Sequence, residues 1–302
     1  MKRLNYFIGA ALAIAAAVSC DKEPEVVDFP IVGDFVLYGE SAEGTWAENT
    51  SVGVFVTSDG VAQSNLEYIP ASTEATGSVQ LNAKSEKAGF KQGKHVIYAY
   101  YPYVAEAAEM QIPLGNLAAQ STKKDIPSWV FDAGLGDMAD MFASYVSTAP
   151  ALSVAKKEVS EFTSAPIDLG AFAPVTTVIS VAEPGFAGDN AADLDGKKVE
   201  KIVVKANKTI AYTEAKYDLA TGELQGAEES QSIEVTADMV IKNLGSVTAY
   251  AFSFATCLAA EDLADAKFTL EFYVEGGKKY VAQDYTANAA NMLVSVTLNP
   301  AN

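Results

Sequence analysis

The chain has 302 residues, long enough for two domains, and sets 39 acidic side chains against 21 basic ones, a formal net charge of −18. A surface of that sign repels nucleic acid and anionic lipid headgroups, so no nucleic-acid partner is expected. One histidine and two cysteines support neither a disulfide framework nor a His-rich metal site.

Met1-Lys2-Arg3 is a short basic start, and Tyr6 to Val18 is an apolar stretch built from Ala, Ile and Leu. It falls short of the roughly 20 apolar residues of a membrane-spanning helix. Together they have the pattern of a secretory signal peptide, assigned to residues 1–19. Ala17-Val18-Ser19-Cys20 sets small residues before a cysteine, which resembles a bacterial lipobox. That likeness implies cleavage before Cys20 and a lipid, palmitate among its acyl chains, on Cys20. The alternative is a plain signal peptide with an incidental cysteine. Residues 20–27 read as an acidic tether, whose charge and proline keep it extended. Loss of residues 1–19, which include Lys2 and Arg3 and no acidic residue, makes the mature chain more acidic still.

Beyond the tether, period-two alternation and β-branched or aromatic runs recur between Gly, Asn, Asp and Pro. Strands are expected at 52–56 and 79–83, and an aromatic one from Lys94 to Tyr103. Tyr98, Tyr100, Tyr101 and Tyr103 put aromatics on both of its faces, one of them expected to be core. Val104 to Met110 and Glu261 to Lys267 are expected as short helices, and Trp129 to Tyr145 as loop with a turn or two of helix. Further strands are expected at 175–181, 199–205, 232–235 and 247–254. Phe268 to Val274 and Lys279 to Val281, joined through Gly276-Gly277, form a hairpin. The last strand is Met292 to Leu298. The fold class is therefore all-β, as sandwiches. The Gly-, Asp- and Asn-rich run 183–196 divides the chain into an N-terminal sandwich, 28–185, and a C-terminal one, 186–302.

Catalytic patterns are missing. His95 has no second histidine for a zinc site, and no nucleophile elbow, P-loop or dinucleotide fingerprint occurs. Glu228-Glu229 and Glu261-Asp262 read as solvated surface. Asp189, Asp193 and Asp195 lack EF-hand spacing, so no metal is expected. No catalytic residue, cofactor or enzyme activity is assigned. Cys257, in an apolar run, is expected to be a small core residue.

Several features, in order, resemble the fimbrillin-like proteins, the subunits of type V pili of Gram-negative gut and oral bacteria. They are the lipobox; Trp46 before Val52-Gly53-Val54-Phe55-Val56; Tyr98-Ala99-Tyr100-Tyr101-Pro102-Tyr103; Gly136-Asp137-Met138-Ala139-Asp140-Met141-Phe142-Ala143 before Phe172 to Val181; and Tyr217-Asp218-Leu219-Ala220-Thr221-Gly222. The resemblance implies two tandem transthyretin-like, Greek-key β-sandwich domains. It implies a lipoprotein of the outer membrane, exposed on the surface, whose partners are other fimbrillin-like subunits and a host or bacterial surface ligand. In family shaft and tip subunits a trypsin-like protease removes the first strand with its lipid, and another subunit's strand fills the groove. Here the first strand is expected within Ile31 to Tyr38. Its strand-exchange candidates are Ile31, Phe35 and Leu37, with Leu293, Val294, Val296 and Leu298 in the terminal strand. The sequence departs from the polymerising pattern, because no Lys or Arg lies between Lys22 and Lys84. That leaves a lipid-retaining anchor or stand-alone lipoprotein, or maturation by a protease of other specificity. The competing class is a surface glycan-binding lipoprotein, for which only Trp46 and Trp129 offer indole platforms.

Overall fold

A computed structural model describes residues 33–58, 61–90, 93–160, 163–188, 191–243 and 247–301. Cys20, the signal peptide, the tether and Ile31 lie outside them. The described residues are all-β, as expected, with only short helical turns. Expected and observed strands coincide at Val79–Ala83 and Phe268–Val274. The helix expected at 104–110 is a pair of turns instead, tied by hydrogen bonds between Ala108 and Gln111.

Two extended sheets carry the fold. The first runs in the order Ile167–Ala171, Leu37–Glu40, Val79–Ala83, Val61–Pro70, Val52–Ser58, His95–Tyr101, Ser153–Val159, Ala173–Pro174. Its outermost strands are almost consecutive in the chain, with only Phe172 between them. The sheet therefore curls until one segment, 167–174, borders both ends. Leu37, Val52, Val54, Val56, Ile97 and Ala99 fill the space it encloses.

The second sheet has at its centre Lys278–Tyr285, Phe268–Val274, Lys198–Ala206, Ser232–Thr236, Ala119–Asp125, Ser144–Ser147, Phe252–Thr256 and Thr177–Val181. Ala119–Asp125 and Ser144–Ser147 precede residue 185 yet belong to this sheet. Ala119–Asp125 pairs in parallel with Ser232–Thr236, and Ser144–Ser147 pairs with Phe252–Thr256. A single division at 183–196 thus does not separate the sheets. Loop composition marks where the chain turns, but it carries no information on which sheet the next strand joins.

The aromatic strand His95–Tyr101 lies where the two cores meet. Ile97 and Ala99 face the first core, while Tyr98 and Tyr100 face the larger second one. Both faces are buried, where one was expected, because the chain that follows the strand folds back over the outer face, Tyr103 stacking on the Tyr100 ring at 6.5 Å. Tyr100 has no exposed surface. Its hydroxyl lies 2.6 Å from Asn65 Oδ1 and accepts a bond from the Val104 amide at 3.2 Å. Burial pushes the pKa of that hydroxyl well above the ordinary tyrosine range. The ring occupies the space beside Gly53, where an added Cβ would fall 2.0 Å from Tyr100 Cε1.

Gly53→Ala should therefore destabilise the protein by about 1–3 kcal/mol through overpacking. Thermal unfolding followed by circular dichroism should show a lower midpoint, and an unchanged midpoint would refute the close contact.

Candidate functional site

Leu37–Glu40, the first strand of more than two residues among the described ones, occupies an interior position in its sheet. On one side it pairs antiparallel with Val79–Ala83, Leu37 opposite Leu81 and Gly39 opposite Val79. On the other it runs parallel to Ile167–Ala171, with Ile167 opposite Leu37. Main-chain bonds extend this pairing: the Ile167 amide donates to Val36 O at 2.8 Å and the Phe172 amide to Glu40 O at 2.9 Å. Its side chains alternate as a two-faced strand requires, Leu37 and Gly39 inward, Tyr38 and Glu40 outward. An added Cβ at Gly39 would sit 3.0 Å from the Phe172 ring, so the narrow residue lets that ring close the core.

Phe35 is buried just before this strand, with its ring 5.8 Å from His95. His95, expected at a strand border, does start its strand but is wholly buried. After the strand comes the loop 41–51. Trp46 anchors it, packed edge-on against Tyr101 at 5.0 Å and Phe172 at 5.4 Å. The Tyr101 hydroxyl accepts the Ala47 amide at 3.1 Å. Beside this loop a cleft of about 390 Å³ opens where Thr50, Tyr101 and Leu152 meet Thr177 and Val178 of the second sheet. Its Thr50 and Tyr101 hydroxyls are already joined to each other at 2.8 Å.

Taking out residues 33–40 would uncover Leu81, Ile167, Leu169 and Phe172. It would also leave two facing strands with unpaired main-chain groups. Such a groove is shaped for one extended strand, since main-chain bonding is available on both sides.

The terminal segment is also embedded. Met292–Leu293 runs parallel to Thr177–Val181, and Thr297–Pro300 lies between Gly185–Phe186 and Lys278–Tyr285. Four main-chain donors, at Ser180, Ala182, Gly185 and Ala187, bond to oxygens at Asn291, Leu293, Val296 and Leu298. Leu293, Val296 and Leu298 are buried, whereas Val294 points outward. The expected continuous strand is broken at Ser295, whose φ of 54° is left-handed. There the Tyr285 hydroxyl replaces a ladder partner and accepts the Thr297 amide at 2.8 Å. Sequence reasoning did not single out Ile167 and Leu169, which line the groove, although Ile167-Asp168-Leu169 alternates as a strand should.

Cys257 is partly buried, and burial pushes its thiol up to about 11. Asp195 is engaged by the Asn243 amide at 2.9 Å. Among the described residues, no group of three or more His, Cys, Asp or Glu is placed to hold a metal, and no helix is long and apolar enough to cross a membrane. Trp46 is enclosed and offers no stacking face to a sugar; Trp129 is half exposed.

No protein-family model matches the chain, and no curated protein matches it. Solved structures resemble it distantly. One is a candidate cell adhesion protein from Bacteroides uniformis ATCC 8492, 17% identical over 89% of this chain and 93% of that one, with a TM-score of 0.49. Another is a fimbrial protein from Bacteroides vulgatus ATCC 8482, 9% identical over 88% and 87%, with a TM-score of 0.37. A third is a fimbrial assembly protein from Parabacteroides distasonis ATCC 8503, 11% identical over 83% and 98%, with a TM-score of 0.31. Likenesses this remote assign neither a family nor an activity.

Two outcomes are expected. A Glu-specific protease should cut the folded protein after exposed Glu43 or Glu48, and the released first strand should co-elute with the body until mild denaturant is added. Elution of the fragment alone in buffer would refute strong retention. In chain lacking Cys20, Cys257 should react slowly with a disulfide reagent at pH 8, because its raised pKa leaves little thiolate; denaturant should restore a fast reaction.

Proposed function

We propose that this protein is a fimbrillin-like component of a cell-surface pilus, held to the outer membrane through a lipid on Cys20. The observation that carries the reading is the interior seat of Leu37–Glu40 between an antiparallel and a parallel neighbour. Removing that strand exposes a groove that only another strand fits, which is the requirement for assembly by strand addition.

The loop 41–51 supports the anchor version of this role. It follows the first strand, and a cut that frees the strand has to fall there. It contains Glu43 and Glu48 but no Lys or Arg. A trypsin-like protease therefore leaves the strand in place; its site nearest before the strand is Lys22 in the tether, where a cut would release the lipid but not the strand, so the anchor role requires that Lys22 stay uncut. A subunit whose groove stays filled accepts no incoming strand and stands at one end of a polymer. The lipid holds that end at the membrane. Phe35 and Leu37 are the residues that keep the groove filled. Leu293, Val296 and Leu298 belong to a terminal segment that would have to leave its own sheet before it could serve a neighbour.

The test is the mature N-terminus of protein taken from its native envelope, read by intact mass and peptide mapping. A chain starting at acylated Cys20 is expected. A lipid-free chain starting beyond residue 40 would overturn the anchor role and put the subunit in the polymerising class.

A further inference from the structure

The connection between Ala119–Asp125 and Ser144–Ser147 has its polarity inverted. It holds a short helix, Ser128–Asp132, and a tight helical turn, Gly136–Phe142. Its backbone is fixed by internal bonds, among them Ala133 N to Trp129 O and Leu135 N to Val130 O, both within 2.9 Å. Small side chains, Val130, Ala139 and Ala143, turn inward and are buried. The large ones, Trp129, Phe131, Met138, Met141 and Phe142, turn outward and are 36% to 57% exposed. Trp129 and Phe142 meet edge-on at 5.1 Å, so these rings form one patch. Core-sized side chains facing water on a well-bonded turn mark a contact surface.

Charge selects the kind of partner. Residues 126–143 contain Asp132, Asp137 and Asp140 and no Lys or Arg. Asp140 is held by Lys124 of the neighbouring strand, which leaves Asp132 and Asp137 without a salt bridge among the described residues. Two methionines supply flexible, polarizable surface that adapts to irregular aliphatic shapes. Apart from the carboxylates, Ser128 and the indole N–H of Trp129 are the hydrogen-bonding side-chain groups in the segment. A sugar site needs more directional donors and acceptors than that, and an anionic membrane is repelled by the aspartates.

We propose that this turn is a docking surface for another protein, namely an amphipathic segment that brings aliphatic side chains to the aromatic–methionine patch and Lys or Arg to Asp132 and Asp137. The inference is independent of strand exchange, because the patch lies on a connection and uses neither the first strand nor the last.

Trp129 provides the test, since Trp46 is almost wholly buried and silent to solvent. The full mature chain is titrated with an amphipathic peptide of Lys and Leu, with its Glu and Leu counterpart, and with a neutral oligosaccharide. Tryptophan emission and acrylamide quenching are followed. The Lys–Leu peptide should shift the emission to the blue and protect Trp129 from quencher. Asp132→Asn with Asp137→Asn should weaken that binding about fivefold, as two exposed charge pairs would. Phe131→Ser with Met141→Ser, checked for native circular dichroism, should abolish it. Equal binding of the Glu–Leu peptide, unchanged binding by the serine variant, or a response to the oligosaccharide alone would each overturn the proposal. If the serine variant fails to fold, quencher protection in the unmodified chain and its weakening in the asparagine variant still decide the matter.

Discussion

Main-chain groups at a sheet edge need partners, and both sheets meet that need in the same way. Each sets two segments distant in the chain side by side, in parallel, within an otherwise largely antiparallel arrangement. In the first sheet Leu37–Glu40 lies along Ile167–Ala171. In the second, the stretch from Ser180 to Ala187 lies along that from Asn291 to Leu298. Wrapping the sheet this way leaves little edge for unwanted pairing. It also makes one short strand responsible for closure, so the element that completes the sheet is the one whose loss would open it. The proposed assembly role and the stability of the isolated protein rest on the same four residues.

The aromatic strand ties the two halves together. Tyr100 lies against Gly53 on the strand beside it and bonds to Asn65 and Val104. Its neighbours Ile97 and Ala99 belong to the other core. A shift in register would carry Tyr100 into the first core and Ile97 into the second, which fixes the pairing of the whole region.

Much of this was legible in the residues. Alternation located Val79–Ala83 to the residue, and the paired glycines at 276 and 277 marked the hairpin that joins Phe268–Val274 to Lys278–Tyr285. Other features were hidden for physical reasons. The VIYAYYPY run has apolar residues on both faces, and no period can tell whether a second core covers the outer one. Sheet membership of Ala119–Asp125 was illegible because its polar face, Ser121, Lys123 and Asp125, is that of any half-exposed strand. The turn at 128–142 read as a mixed loop, since its inward residues are the small ones and its outward residues the large. In the terminal strand, Met292 to Leu298 has the composition of one continuous element, and only the left-handed backbone at Ser295 breaks it.

Closure by distant segments sets the order in which the chain can mature. Synthesis delivers the N-terminus first, so Leu37 emerges long before Ile167, its parallel partner. Until then the first sheet has a bare flank and an exposed core. Residues 119–147 emerge in between, and they await Ser232–Thr236 and Phe252–Thr256. Contacts this remote in sequence form slowly, because a long loop has to close before they bring any gain. The newly made chain therefore passes through a period in which its own groove is open to any strand nearby. In that interval the chain's own first strand competes with any other strand for the same seat, and its covalent connection gives it the advantage of high local concentration.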